Sequence, residues 1–283
     1  MFVLALQSPP AWATQDELDL PWDTRDALFS EDAADVVRAL NGAIGMIDLG
    51  AYPTGTGHHN WHGNVLGDVA LLTWRDLLVW HASLEVQTVA DDGNDINFRL
   101  VRLFYRFRVA VDLRLGPGVL WAGLSHRCSH GTDGALPGRI LIRSGFDAGY
   151  RVALRWGDLE LGLKATAQGT ILGQNTDLTT QVRGILAGAA QLTYALPADF
   201  RVFAGAGIGV GLVGASPSDI YLLSDAAEGL RGEPLPVAVV GAAYDGLGAS
   251  LTVMLHYQRT LDTGLTEVSQ PASLLAIRIR FGW

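Results

Sequence analysis

The run Leu124-Ser125-His126-Arg127-Cys128-Ser129-His130-Gly131-Thr132-Asp133 gathers the side chains of acyl-transfer chemistry within ten residues. In such chemistry an imidazole takes the proton of a hydroxyl or thiol, which then attacks a carbonyl carbon, while an acid orients the ring. The candidate catalytic set is His126, Ser129, His130 and Asp133. On a strand, residues two apart share a face, so His126 has Cys128 beside it where a hydroxyl is expected. The competing reading is a polar rim network, in which these four side chains hydrogen-bond to tie down a loop. A second cluster is His58-His59-Asn60-Trp61-His62. Imidazoles on one loop can gather a transition metal, so His58, His59 and His62 are candidate ligands, with His130 or Asp133 as a fourth. Their spacing matches no closed zinc motif, and an exposed polar loop accounts for them equally simply. No cofactor is expected.

The elements that position these residues show best at the C-terminal end. Across residues 272–283, Leu275, Ile277, Ile279, Phe281 and Trp283 fall on one strand face, and Leu274, Ala276, Arg278, Arg280 and Gly282 on the other. A soluble sheet would bury the arginines in its core. A membrane barrel turns the apolar face to lipid and takes the charges into its lumen. Residues 100–115 repeat the facing, with Leu103, Tyr105, Phe107, Val109, Val111 and Leu113 against Arg102, Arg106, Arg108, Asp112 and Arg114. A slip of one residue would put every charge into lipid, so register is strongly specified.

The terminal strand, ending on Phe281 and Trp283, resembles the C-terminal signature of bacterial outer-membrane β-barrels. That resemblance implies the barrel-assembly machinery as a partner in biogenesis and outer-membrane lipid as the surroundings. Composition agrees. Charged residues are only 17%, against an ordinary share of about 25%. No run of about 18 apolar residues occurs, which excludes a transmembrane helix. The net charge of −9 is concentrated in residues 14–41, where eight acids face two arginines, and no basic stripe for nucleic acid exists. Cys128 is the single cysteine, so no internal disulfide forms. Oligomeric state is not legible.

Residues 1–13 read as the tail of a secretory signal, with an apolar run at Phe2–Leu6 and small residues at Ala11 and Ala13. Residues 14–41 read as an acidic periplasmic leader. Ser30 as cap and Gly42 beyond the end place a short helix over 31–40, and a solvated leader is the other reading. Twelve strands are expected near 42–52, 65–74, 77–90, 100–115, 119–128, 139–156, 159–172, 179–196, 200–214, 235–245, 248–260 and 272–283. Five tight turns, such as Gly116-Pro117-Gly118 and Gly157-Asp158, alternate with six longer segments: 53–64, 91–99, 129–138, 173–178, 215–234 and 261–271. Short periplasmic turns, longer outer loops and an even strand count define the expected fold: all-β, a transmembrane antiparallel β-barrel of about 12 strands over 42–283.

Inward positions then include Asp68, His81, Glu85, Arg102, Arg106, Arg108, Asp112, Arg114, Arg143, Asp147, Arg151, Arg155, Arg183, Arg201, Arg278 and Arg280. They read as a salt-bridge network that stiffens the wall, or as an Arg-lined path for anions. Arg278 and Arg280 face the neighbourhood of Asp48 if the last strand closes on the first. Gly205, Gly207, Gly209 and Gly241 leave room for an internal segment to approach the wall. Next to the His126 strand, Ile140, Ile142 and Ser144 share the lipid face and Asp147 the lumenal one. The facing of His126 itself stays open, since Leu120, Ala122 and Leu124 share its side while Trp121 takes the other.

Two resemblances bear on chemistry. His126, Ser129, His130 and Asp133 match the H-x-S-S-H-x-x-D pattern of an uncharacterised family of bacterial outer-membrane proteins, domain-of-unknown-function family 1207, with Cys128 in place of its first Ser. More loosely, a His on a strand before a nucleophile is similar to outer-membrane lipid hydrolases of the phospholipase A and lipid A deacylase type. Three functions are therefore carried forward: a structural or surface-interaction barrel, a lipid hydrolase, and a narrow anion-selective channel.

Overall fold

In the computed structural model the chain is an antiparallel β-barrel. The structure describes residues 37–52, 60–75, 77–92, 95–96, 98–131, 140–175, 181–246, 249–261 and 272–283. Its strands are β1 (Val37–Ala51), β2 (Trp61–Trp74), β3 (Leu78–Asp91), β4 (Arg99–Leu115), β5 (Gly118–Gly131), β6 (Leu141–Trp156) and β7 (Leu159–Asn175). Then follow β8 (Gln181–Ala195), β9 (Phe200–Ala215), β10 (Ile220–Leu222), β11 (Glu228–Gly246), β12 (Ala249–Thr260) and β13 (Ala272–Gly282). The twelve long strands pair each with the next, β9 with β11, and β13 closes the ring on β1. The three-residue β10 stands outside that order and pairs with β7.

Four boundaries differ from expectation. β1 starts at Val37 rather than Gly42, so positions 37–40 of the expected helix are strand, while its earlier part lies outside the described residues. Pairing with β2 recruits those residues, a tertiary contact that capping signals do not report. β2 starts at Trp61, inside the expected first loop. β11 reaches back to Glu228, and the expected loop 215–234 also holds β10. Pro234 and Pro236 hid this extension, because their missing N–H groups argue against a strand interior.

The facing follows the alternation. Leu124 and Ile208 point outward and are 63% and 61% exposed, as lipid-facing side chains must be. At the end carrying the tight turns, Trp74, Trp80, Trp156, Phe200, Tyr244, Phe281 and Trp283 are exposed together and form an aromatic girdle. Gly116 and Gly157 open two of those turns at φ +58° and +60°, the left-handed conformation that a two-residue hairpin needs at its first position.

The ring closes over a short seam. β13 pairs with β1 only from Met46↔Gly282 to Ala51↔Ile277, extended by Gly45 and Trp283 exchanging both backbone hydrogen bonds. The Trp283 indole lies where a Cβ at Gly45 would stand, so only glycine lets the last residue seat there. Inside the seam, Asp48 accepts from Arg278 Nε at 3.0 Å and Nη2 at 2.9 Å, and from Arg280 Nε at 2.8 Å. Arg278 and Arg280 are each 1% exposed. Two guanidiniums gripping one carboxylate turn a six-pair ladder into a closed seam. Breaking a buried pair by removing one partner costs about 3–5 kcal/mol. Asp48→Ala is therefore expected to lower the temperature at which the folded barrel converts to its unfolded gel mobility by ten degrees or more, with Arg278→Leu/Arg280→Leu destabilised less. An unchanged transition in Asp48→Ala would show that backbone pairing alone holds the seam.

Candidate functional site

The lumenal charges are organised as clusters. His81 of β3 is fully buried between two carboxylates: Nδ1 donates to Asp68 of β2 at 2.9 Å and Nε2 to Asp112 of β4 at 3.1 Å. Arg151 of β6 reaches the other oxygen of Asp112 at 3.1 Å and lies 5.7 Å over the Trp121 ring. Arg108 pairs with Asp147 at 2.6 Å. Asn64 and Gln87 both donate to Glu85, and Arg106 lies 4.0 Å from it. Arg102 donates to Ser129 Oγ at 3.3 Å. Arg143, half-buried, lines two small lumenal spaces beside Arg127. Of the sixteen positions expected inward, the charges Arg102, Arg106, Arg108, Arg143, Asp147, Arg151, Arg278 and Arg280 thus stand on the lumenal side.

The other side of the lumen is apolar. Val182 and Ile185 of β8, Phe203 and Val213 of β9, Leu235, Val237, Val239 and Ala243 of β11, Met254 of β12 and Leu261 pack together. Of the glycines expected to admit an internal segment, Gly207 is crowded by Val237 and Ala189, and Gly241 by Phe203 and Met254. The alternation rule named these strands correctly but did not show that their inward residues would form a hydrocarbon core.

The histidine-serine stretch is divided by the wall. His126 is exposed on the lipid face of β5, in line with Leu124, whereas Ser129 is buried on the lumenal side against Arg102. Those two cannot react together. His130 pairs in register with Leu103, and Asp133 lies outside the described residues. The partner of His126 is Ser144 of β6, directly opposite in register, with Nδ1 and Oγ 2.8 Å apart. With the ring hydrogen on Nε2, Ser144 Oγ–H donates to Nδ1, the contact a general base makes with its nucleophile. Ser144 had been placed on the lipid face from sequence but not joined to His126, because strand register fixes the pair and spacing along one strand does not. Asp147 is excluded as an orienting acid, since it points inward to Arg108.

Of the histidine cluster, His62 lies in β2, buried, with its ring edge-on to Tyr52 at 6.3 Å. His58 and His59 lie outside the described residues. Among the described residues no group of three or more His, Cys, Asp or Glu side chains is arranged to hold a metal ion.

Closed ring, apolar exterior and ion-paired interior make this a transmembrane β-barrel. No family model matches the sequence, and no curated protein does either, so the resemblance to family 1207 stays confined to the stretch that carries it. Among solved structures, the chain is similar to LpxR from Salmonella typhimurium, with a TM-score of 0.47 and 8% identity over 85% of this chain and 99% of that one. It is also similar to the outer-membrane phospholipase A from Escherichia coli (TM-score 0.47, 10% identity, 86% and 97% covered) and to the TodX monoaromatic hydrocarbon channel (0.42, 10%, 85% and 87%). At these values none of the three likenesses bears on what this chain does.

The His81 cluster yields a stability test. His81→Leu leaves Asp68 and Asp112 facing each other across an apolar side chain, with Arg151 bonded to Asp112 as counter-charge. A buried uncompensated charge costs about 3–5 kcal/mol. The variant is expected to unfold at a clearly lower denaturant concentration, and adding Asp68→Leu is expected to restore part of the loss. Equal midpoints for wild type and His81→Leu would show that water, not His81, neutralises the pair.

Proposed function

We propose that the chain is a barrel of the bacterial outer membrane that hydrolyses ester bonds of membrane lipid at its outer wall, with Ser144 as nucleophile and His126 as general base. The observation that carries this reading is the 2.8 Å contact of Nδ1 and Oγ on a lipid-facing surface. His126 stands eight positions along β5 from Gly118, about 20 Å above the tight-turn end at roughly 2.5 Å of rise per residue in a tilted strand. The apolar band of such barrels is about 25 Å tall, so the pair sits in its outer part, within reach of the ester linkages of the outer leaflet. Phe107 and Leu172, the register partners on either side, offer acyl chains an apolar flank.

In this scheme Ser144 Oγ–H gives its proton to His126 Nδ1 as Oγ attacks the ester carbonyl. The imidazolium then returns the proton to the leaving alcohol, and water takes the same route against the acyl-serine. His130 and Asp133, further along the stretch, are the residues proposed to orient the ring. An anion path is supported less, because Arg108, Arg151, Arg278 and Arg280 are held in buried ion pairs. A purely structural barrel draws support from the same pairs.

Purified protein in mixed micelles of phospholipid is expected to release fatty acid. A positioned base contributes about 10²–10⁴-fold, so Ser144→Ala and His126→Ala should each lose at least a hundredfold while Ser129→Ala keeps full activity. Release that survives both substitutions would remove the pair from consideration. A wild type that releases nothing, though folded, would return the structural reading.

A further inference from the structure

At their outer ends β11 and β12 separate. Their ladder stops at Val237↔Gln258, although β11 runs on outward to Glu228 along β9, and β12 to Thr260 along β13. Pro234 and Pro236 have no N–H with which to carry the pairing further. Three side chains meet across the fork that opens there. Arg231 Nε donates to Glu233 Oε1 at 3.0 Å, and Arg259 Nη2 lies 3.6 Å from Glu233 Oε2. Two guanidiniums thus share one carboxylate, and among the described residues neither is bonded to a second acid. Both remain open to the surroundings, Arg231 at 49% and Arg259 at 34%, with Glu233 more covered between them. In the seam the balance is the same but the site is closed, since Arg278, Arg280 and Asp48 are all buried.

Arg259 belongs to the lipid-facing row of β12, following Leu251, Val253, Leu255 and Tyr257. It stands ten positions from Ala249 at the tight-turn end, about 25 Å up at roughly 2.5 Å of rise per residue. The apolar band of such barrels is about 25 Å tall, so this guanidinium lies at its outer edge, where hydrocarbon gives way to headgroups. Its register partner on β13 is Ser273, which is exposed. With Tyr257 Oη donating to it at 3.3 Å, Ser273 Oγ keeps its own hydrogen for a further acceptor. Below them Val253 and Leu255 of β12 and Ile277 and Ile279 of β13 form an exposed apolar wall. Ala238 of β11, opposite Tyr257 in register, leaves that wall low on one side.

We propose that this fork holds the phosphate of an anionic lipid of the outer leaflet. Arg231 and Arg259 meet its oxygens with the N–H groups that Glu233 does not take, and Ser273 adds a hydroxyl. The acyl chains run down the wall of β12 and β13. Charge and depth select this occupant: two guanidiniums to one carboxylate leave a positive charge, and it stands at the level of lipid phosphates. A phosphate in solution would find the same arginines but make no use of the wall below them. β12 is six strands around the ring from β5, on the far side of the barrel from the His126 pair. Lipid held here is not presented to Ser144, so the inference stands apart from the proposed hydrolysis.

The test uses the full chain in a neutral detergent, carrying Ser144→Ala so that no probe is cleaved. It is titrated with dioleoyl phosphatidic acid or with dioleoylglycerol, and bound lipid is counted by native mass spectrometry. One phosphatidic acid is expected to bind at least tenfold more tightly than the diacylglycerol, and excess inorganic phosphate should leave it in place. Arg231→Gln/Arg259→Gln should abolish that preference. Phosphatidic acid with a diazirine beside its glycerol should attach on irradiation to Ala238, Tyr257 or Leu275. Equal affinity of the parent chain and the double variant, or adducts that miss these three strands, would overturn the site. Displacement by inorganic phosphate would overturn the lipid as its occupant. Mobility on boiling checks the fold of each variant. If the double variant does not fold, Arg231→Gln alone decides, since that half-exposed side chain stands beyond the apolar band: weaker binding is expected, and unchanged binding overturns the proposal.

Discussion

A sheet in hydrocarbon cannot keep an edge. Each unpaired N–H or C=O there lacks any partner, so the strands must close into a ring. In this chain closure rests on the ladder between Met46–Ala51 and Ile277–Gly282, the shortest junction between consecutive long strands. Asp48 takes both Arg278 and Arg280 at that place. The carboxylate and the guanidiniums are 230 and 232 residues apart in the chain, so the pair ties the first strand of the sheet to the last. A one-residue slip would point Asp48 at lipid, which makes the ion pair a check on register as well as a bond.

The same requirement governs the interior. A charge in a narrow lumen needs water or a counter-charge, and twelve strands enclose a lumen between the filled interior of eight and the open channel of sixteen. β2, β3, β4 and β6 answer with ion pairs and with the four-membered chain Asp68–His81–Asp112–Arg151. β8, β9 and β11 answer with hydrocarbon, and Leu261 packs into the space left by Gly211. The interior is therefore built in two ways, a polar network facing a hydrophobic core. An amphipathic cavity beside β10 lies where the two meet, with Arg127 and Arg143 on one flank and Val182 and Leu261 on the other.

Much of this was legible in the alternation of side chains, because a membrane barrel reverses the facing of a soluble one. Strand number follows from tight turns alternating with longer segments, and the inward set from Arg102 to Arg280 from period two. What period two does not encode is which strand lies beside which residue at which height. The His126 stretch looked self-contained as a run of ten residues. Alternation along β5 divides it instead, sending Ser129 to the lumen, and register matches His126 with Ser144, eighteen residues away. β10 was hidden for a related reason: three residues in a long segment carry no periodic signal, and only the end of the β7–β8 ladder at Gly169↔Gly184 gives them a place. The start of β1 was misjudged because capping residues at Ser30 and Gly42 compete with a strand partner that sequence does not show.

The position of the His126 pair is best weighed against what else could stand there. Moving a hydroxyl from water into a medium that cannot hydrogen-bond costs about 4–8 kcal/mol, and one hydrogen bond recovers only part of that. Leu124 and Leu172, on the same face nearby, show that the wall is served well by apolar side chains there. Packing at those two places would therefore accept Val or Leu, with a gain in transfer free energy. Among the described residues His126 bonds across to the next strand, within the wall. An imidazole and a serine hydroxyl 2.8 Å apart on the lipid face are therefore an arrangement that transfer free energy alone does not favour, and it is on this that the proposed acyl transfer rests.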